Sequence, residues 1–215
     1  HVRCIALSTV DEAVVIPIRS IDGNALTDIN TLQILKSEIT RALVLPSGLL
    51  LGHNAGQYDR LVCEQWLGTT PDLSADTLLL HLLADNELPH GLGFVGSFYT
   101  DNPEAWKADH TATEAKADLD LHIYCGKDAC VTARVAQPLA DDVKKRSQQH
   151  LLPREHMLQY LGTEMQYNGM AMDMDKLMEH NILLEQTARE RLAEIQGMTG
   201  EKFNPQSTQQ MAQLL

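Results

Sequence analysis

The sequence predicts a mixed α/β unit followed by helices. Two observations carry that prediction. Apolar runs of strand length occupy 3–9, 13–18 and 48–53. Between the second and third, Leu26, Ile29, Leu32, Leu35, Ile39 and Leu43 recur at helical spacing, which gives an amphipathic crossover helix.

The elements follow in order. Asp11 and Glu12 sit at the turn between the first two strands. Thr27 or Asp28 precedes the crossover helix and suits its N-cap, because a short oxygen-bearing side chain can accept from the first free N–H groups. Pro46-Ser47-Gly48 then turns the chain into the third strand, which ends at His53-Asn54. A helix over 56–67 carries Asp59, with Leu61, Val62 and Trp66 as its inner face. Ser74 to Leu80 has the pattern of a further strand-to-helix junction, where Asp76 suits a cap. The polar stretch from Thr100 to Asp118 predicts a long exposed segment. A later helix carries Tyr124 and Asp128, and Pro153 marks a boundary between domains at 1–150 and 151–215. No internal repeat or low-complexity segment interrupts this order.

Composition bounds the function. The chain has 215 residues, 44% of them hydrophobic, enough for one sizeable domain and an appendage. Its net charge of −12 argues against a protein that grips duplex DNA by its own basic surface. A short single strand held by stacking, backbone contacts and metal ions needs no such surface. Lys144-Lys145-Arg146 is the one compact basic run, and its place near a helix end suits the macrodipole. The four cysteines, Cys4, Cys63, Cys125 and Cys130, lack the paired spacing of a zinc site and suit reduced thiols in a cytosol-like compartment. The nine histidines, His53, His81, His90 and His110 among them, form no zinc pattern either. No signal peptide or membrane-length apolar run occurs, so the expected location is cytoplasmic and no membrane partner is expected.

The chemistry is concentrated in two places. An apolar strand delivers Asn54 and then Tyr58-Asp59 to its C-terminal end. Tyr124 and Asp128, four apart on a helix, lie on one face about one turn from each other. Two separated aspartates with a tyrosine beside one of them suit metal-assisted phosphodiester hydrolysis. Hard Mg²⁺ ions take carboxylate oxygens, and a pair of ions steadies both the attacking and the leaving oxygen. Each short pattern alone is common: an Asp at a helix start is usually a cap, and a Tyr facing its own helix is usually packing. Their order, spacing and placement make the specific signal.

This pairing resembles the DEDDy-type 3′–5′ proofreading exonuclease of family A DNA polymerases, the bacterial polymerase I class and its phage relatives. Asn54, Tyr58 and Asp59 match the family's Asn-x-x-x-(Phe/Tyr)-Asp motif. Tyr124 and Asp128 match its Tyr-x-x-x-Asp motif. The segment from Tyr160 to Asp173 is similar to the family's passage from exonuclease to polymerase, where a helix ends at Asn-Gly, a short apolar strand follows and an Asp starts the next long helix. Phe203-Asn204-Pro205-Gln206-Ser207, with Gln210-Met211 and Leu214-Leu215 after it, resembles an element of the polymerase thumb. His90-Gly91-Leu92-Gly93-Phe94 resembles a helix start in phage-type members, with His90 as a cap or a DNA contact.

The resemblance implies a ribonuclease-H-like fold, a mixed sheet flanked by helices, over 1–150, and the start of a polymerase domain over 151–215. It implies catalytic roles for Asp59, Tyr124 and Asp128. Asp128 binds the Mg²⁺ or Mn²⁺ ion that activates the attacking water, Tyr124 positions that water, and Asp59 holds the second ion. Asn54 and Tyr58 contact the substrate. The implied partners are the 3′ end of single-stranded or primer-template DNA and the remainder of the polymerase, in the host cytoplasm if the protein is phage-encoded.

One motif of the family is missing. No Asp-x-Glu occurs upstream of Asp59, and adjacent Asp11 and Glu12 point to opposite faces of a strand. The first strand and its two ligands are therefore expected to be absent, and the chain to be an internal piece of a polymerase. With about half the ligands of a two-ion site, it is expected to be inactive or nearly so. Two other functions compete: an exonuclease-like scaffold that positions DNA or the polymerase without cutting, and a DEDDy ribonuclease. Met170, Met172, Met174 and Met178 are expected as core filler between the two parts.

Overall fold

The computed structural model describes residues 2–44, 50–100, 117–199 and 204–214. The expected Pro46-Ser47-Gly48 turn, most of the segment after Thr100, with Trp106 and His110, and Phe203 and Leu215 lie outside these. The described chain is mixed α/β and mainly helical, with two small sheets.

Strands β1 (Cys4–Ser8) and β2 (Ala13–Pro17) form an antiparallel hairpin in which Ala6 faces Val15. Helix α1 (Ile29–Leu43) begins where Asp28 accepts from the backbone N–H groups of Asn30 and Thr31, so Asp28 rather than Thr27 is the cap. Leu32, Leu35 and Leu43 are half-buried and Ile39 is buried, as the helical spacing predicts. Leu26 and Ile29 stay exposed: Leu26 precedes the helix and its N–H bonds to Ile18, and Ile29 lies in the first turn.

Strand β3 (Leu51–Gly52) pairs in parallel with β4 (Ala75–Asp76). Helix α2 (Asp59–Leu67) lies between them in sequence and ends at Gly68, whose φ of 71° is the left-handed value common just past a helix. Its first residue is Asp59, because Asn54 to Gln57 close a turn first. Leu61, Val62 and Trp66 are only half-buried, and the buried residue is Arg60. Helices α3 (Thr77–Ala84), α4 (Leu92–Tyr99) and the long α5 (Asp118–Lys145) follow. Lys144 and Lys145 occupy the last turn of α5, where cations meet the negative end of the helix.

The core lies where α3 and α4 meet the second half of α5. Leu80, Leu83, Leu92, Val95, Val131, Val135, Leu139 and Val143 pack together there, with Val95, Val135 and Leu139 fully buried. Burying each such side chain is worth roughly 1.5–3 kcal/mol. The first half of α5 packs on the hairpin. A methyl group added at Gly126 would come within 3.3 Å of Val15 and 3.5 Å of Ala13, so glycine sets the close approach of helix and strand.

Among the described residues the strands form two ladders, not one continuous mixed sheet. β1 pairs only with β2 and β3 only with β4, while both ladders contact α5. The helix holds the two ladders together in place of a strand between them.

Helix α6 (Leu152–Asn168) follows a 3-10 turn at Gln149–Leu151. The contacts divide the chain into two compact units, His1–Asn168 and Gly169–Leu215, so α6 packs with the first unit although the sequence places its start beyond the 150/151 boundary. In the second unit, Gly169 has a φ of 62° and Asp173 accepts from the N–H of Lys176 at the start of α7 (Met174–Thr199). Residues 170–173 form no strand, correcting that expectation. Met170, Met172, Met174 and Met178 are exposed, not core filler. Helix α8 (Thr208–Leu214) closes the described chain. No described helix is long and apolar enough to cross a membrane.

Candidate active site

Parallel pairing of β3 and β4 brings the C-terminal ends of both strands side by side. Asp76, which pairs with Gly52, therefore arrives beside the turn that leaves β3. Its side chain is fully buried and saturated with donors. One carboxylate oxygen accepts from the N–H of Asn54 at 2.8 Å and of Leu78 at 2.9 Å. The other accepts from the N–H of Ala55 at 2.9 Å and from Gln159 Nε2 at 3.1 Å. The same carboxylate thus caps α3 and holds the turn. A turn this tight needs Asn54 at a φ of 58°, a left-handed value that asparagine tolerates better than most residues. It also needs a glycine at position 52, where a Cβ would collide with that of Ala55.

Helix α6 braces the turn from outside. Thr163 Oγ1 donates to the carbonyl of Gly56 at 2.9 Å, and a Cβ at Gly56 would strike Gln159. Arg60 is buried between α2 and α6. Its Nη2 reaches Glu64 at 2.9 Å and Glu164 at 2.8 Å, and its guanidinium lies 3.4 Å from the centre of the Tyr160 ring. Nε and Nη1 of Arg60 make no hydrogen bond among the described residues, so the ring face is their compensation.

On this scaffold the expected site residues fall into two groups. Asn54, Tyr58 and Asp59 share the braced turn: Asn54 is half-buried, Tyr58 is 71% exposed and Asp59 opens α2. Burial pushes the Asp59 carboxyl up to about 6, and the charge of Asp76 adds to that, while its own backbone N–H pulls the other way. The residue as a whole still reaches the surface, so water relieves part of that penalty. Tyr124 and Asp128 are half-buried one turn apart on α5. The groups are linked through α5, which contacts β3 just before the turn.

Asp59 and Asp128 offer the hard oxygen donors that Mg²⁺ takes. Among the described residues no three His, Cys, Asp or Glu side chains gather as a metal cage. The donors fit the ion in kind.

From the sequence Asp76 reads as the cap of the helix that follows, with a place at the border of the site as the alternative, and Gln159, Thr163 and Glu164 carry no assigned role. The cap signal at Asp76 is genuine, but its two oxygens also take the N–H groups of Asn54 and Ala55, and so hold the turn. The α6 residues carry no local signal, because their partners lie 83 to 107 positions away. His90 neither caps α4, where Gly91 stands, nor faces outward alone: its Nδ1 is 2.7 Å from Nδ1 of buried His81. Trp66 packs under Lys36, 4.6 Å from its ring centre.

Comparison with known proteins gives no match: no family model fits the chain, and no curated protein and no solved structure is significantly similar to it.

Proposed function

We propose that this chain is part of a family A DNA polymerase and carries the larger share of its ribonuclease-H-like 3′–5′ proofreading exonuclease. The observation that supports this reading is a braced turn bearing Asn54, Tyr58 and Asp59 at the end of a parallel strand, answered by Tyr124 and Asp128 on the helix that touches that strand. In the proposed reaction a water oxygen attacks the terminal phosphorus, the bond to the 3′ oxygen breaks, and a 5′-monophosphate leaves a strand one nucleotide shorter. Two Mg²⁺ or Mn²⁺ ions, held in part by Asp59 and Asp128, supply the nucleophile and the charge stabilisation when bound.

The chain's own residues take the remaining roles. Tyr124 orients the attacking water through its hydroxyl. Asn54 and Tyr58 hold the terminal nucleotide, and the Asp76 clamp keeps the amide of Asn54 fixed. The single strand's 3′ end and the rest of the polymerase are the partners, in the cytoplasm. With two of the four carboxylates of such a site in its sequence, the chain itself is inactive or nearly so.

The test is binding and degradation of a 3′-labelled single-stranded DNA in Mg²⁺ by the chain, beside Asn54→Ala and Asp128→Ala. The reading expects Mg²⁺-dependent binding of the 3′ end that both variants weaken by about tenfold, roughly one lost contact's worth, with little cleavage. Stepwise shortening that Asp128→Ala abolishes would uphold the exonuclease and overturn the claim of inactivity. Binding with no Mg²⁺ dependence and no change in either variant would sink the reading, and preference for an RNA of the same sequence would favour a ribonuclease.

A further inference from the structure

Cys4, the first residue of β1, and Cys125, which follows Tyr124 on α5, are 121 positions apart in sequence, yet their sulfurs lie 3.4 Å from each other. Both are half-buried free thiols. Among the described residues no other two sulfurs come within hydrogen-bonding distance, so Cys63 and Cys130 are internal controls.

We infer that Cys4 and Cys125 are a redox modification site, closing to a reversible disulfide at the expense of a low-molecular-weight disulfide of the glutathione class. Bonded sulfurs sit about 2.04 Å apart, so closure needs a movement of about 1.4 Å. β1 and α5 are already in contact, and on the neighbouring strand β2 Ala13 and Val15 lie close against Gly126, the residue after Cys125. A change of side-chain torsion together with a small shift of α5 covers that distance.

The exchange balances in two steps. The Cys4 thiolate attacks one sulfur of glutathione disulfide, forms a mixed disulfide and expels one glutathione thiolate. Cys125 then loses its proton and attacks the Cys4 sulfur, expelling the second glutathione. Two protein thiols and one glutathione disulfide become one protein disulfide and two glutathione thiols. Cys4 is the better first nucleophile, because the hydrogen bond with Cys125 and the charge of Arg3 hold its thiol below the ordinary range.

The bond fastens the turn of α5 that carries Tyr124 and Asp128 to β1. The inference does not depend on the proposed exonuclease: a disulfide forms or fails to form whether or not the chain meets DNA.

The full chain is equilibrated in glutathione buffers of increasing oxidised fraction, quenched by alkylation and mapped by mass spectrometry under native and denaturing conditions. The expected result is loss of two of the four thiols, a linked peptide joining residues 4 and 125 that outnumbers every other pair, and reversal by excess reduced glutathione. The oxidised chain should melt about 5–10 °C higher, since a bond across so long a loop restricts the unfolded state. Cys4→Ser and Cys125→Ser should each abolish the linked peptide, and Cys63→Ser should not. Four free thiols at full oxidation, a different pair, links between chains, or a 4–125 link that forms only in denaturant would each overturn the site. Because the peptide map of the unaltered chain decides the matter, a variant that fails to fold leaves the test intact.

Discussion

At the scale of single residues, Asp59 and Asp76 show how two neighbouring carboxylates are given different tasks by their surroundings. Asp76 is buried and meets four donors. Asp59 has its carboxyl raised to about 6 by burial and by the charge of Asp76. A carboxyl raised in the folded state binds its proton more tightly there than in the unfolded chain. Its contribution to stability is therefore full below the unfolded value near ~4 and is lost as pH rises through about 6. Asp59→Asn removes that slope: the variant should melt with the native chain at pH 4 and above it at pH 7.5. Melting curves across this range check it, and equal slopes for both proteins would refute it. A site that keeps a destabilising charge in place is suited to receiving a cation, as the proposed function requires. Asp59 was legible from the sequence as the acid at the start of a helix. Its environment was not, since Asp76 comes from a separate strand.

At the scale of elements, the turn between β3 and α2 depends on the length of one side chain. Removing the Asp76 carboxylate leaves three amides without an acceptor, that of Ala55 buried and those of Asn54 and Leu78 partly so. Asp76→Ala should cost roughly 3–5 kcal/mol, and Gln159→Ala, which removes one donor and leaves the carboxylate otherwise satisfied, about 1 kcal/mol. Urea unfolding of both variants measures this, and near-equal losses would show that the clamp is not centred on Asp76. The hairpin and α1 were legible because their signals are local: an apolar run of strand length at 13–18, and Asp28 before a 3.6-residue repeat. Burial of Arg60 was not, because its partners Tyr160 and Glu164 lie about a hundred positions downstream and an isolated arginine on a short helix predicts exposure. The mixed sheet was expected from the family resemblance alone: strands can be found by composition, but which edges pair is decided by what lies between them.

At the scale of the whole molecule, the first compact unit extends to Asn168 and includes the helix that braces the turn. A chain ending at residue 168 should keep the melting temperature of that unit. One ending at residue 151 should lose roughly 3 kcal/mol, or roughly 6–12 °C, with the contacts of Gln159, Thr163 and Glu164. Scanning calorimetry of the two truncations distinguishes them, and equal melting would mean that α6 is a passenger. The brace also has a kinetic meaning. The amides of Asn54, Ala55 and Leu78 end on one carboxylate, which is itself held by a helix from the far end of the unit. Because the three share one acceptor group, displacing that carboxylate releases all of them together. In deuterated water their hydrogens should be replaced at one common, slow rate, and the loop over 53–58, with the start of α3, becomes a gauge of how often the entire unit opens.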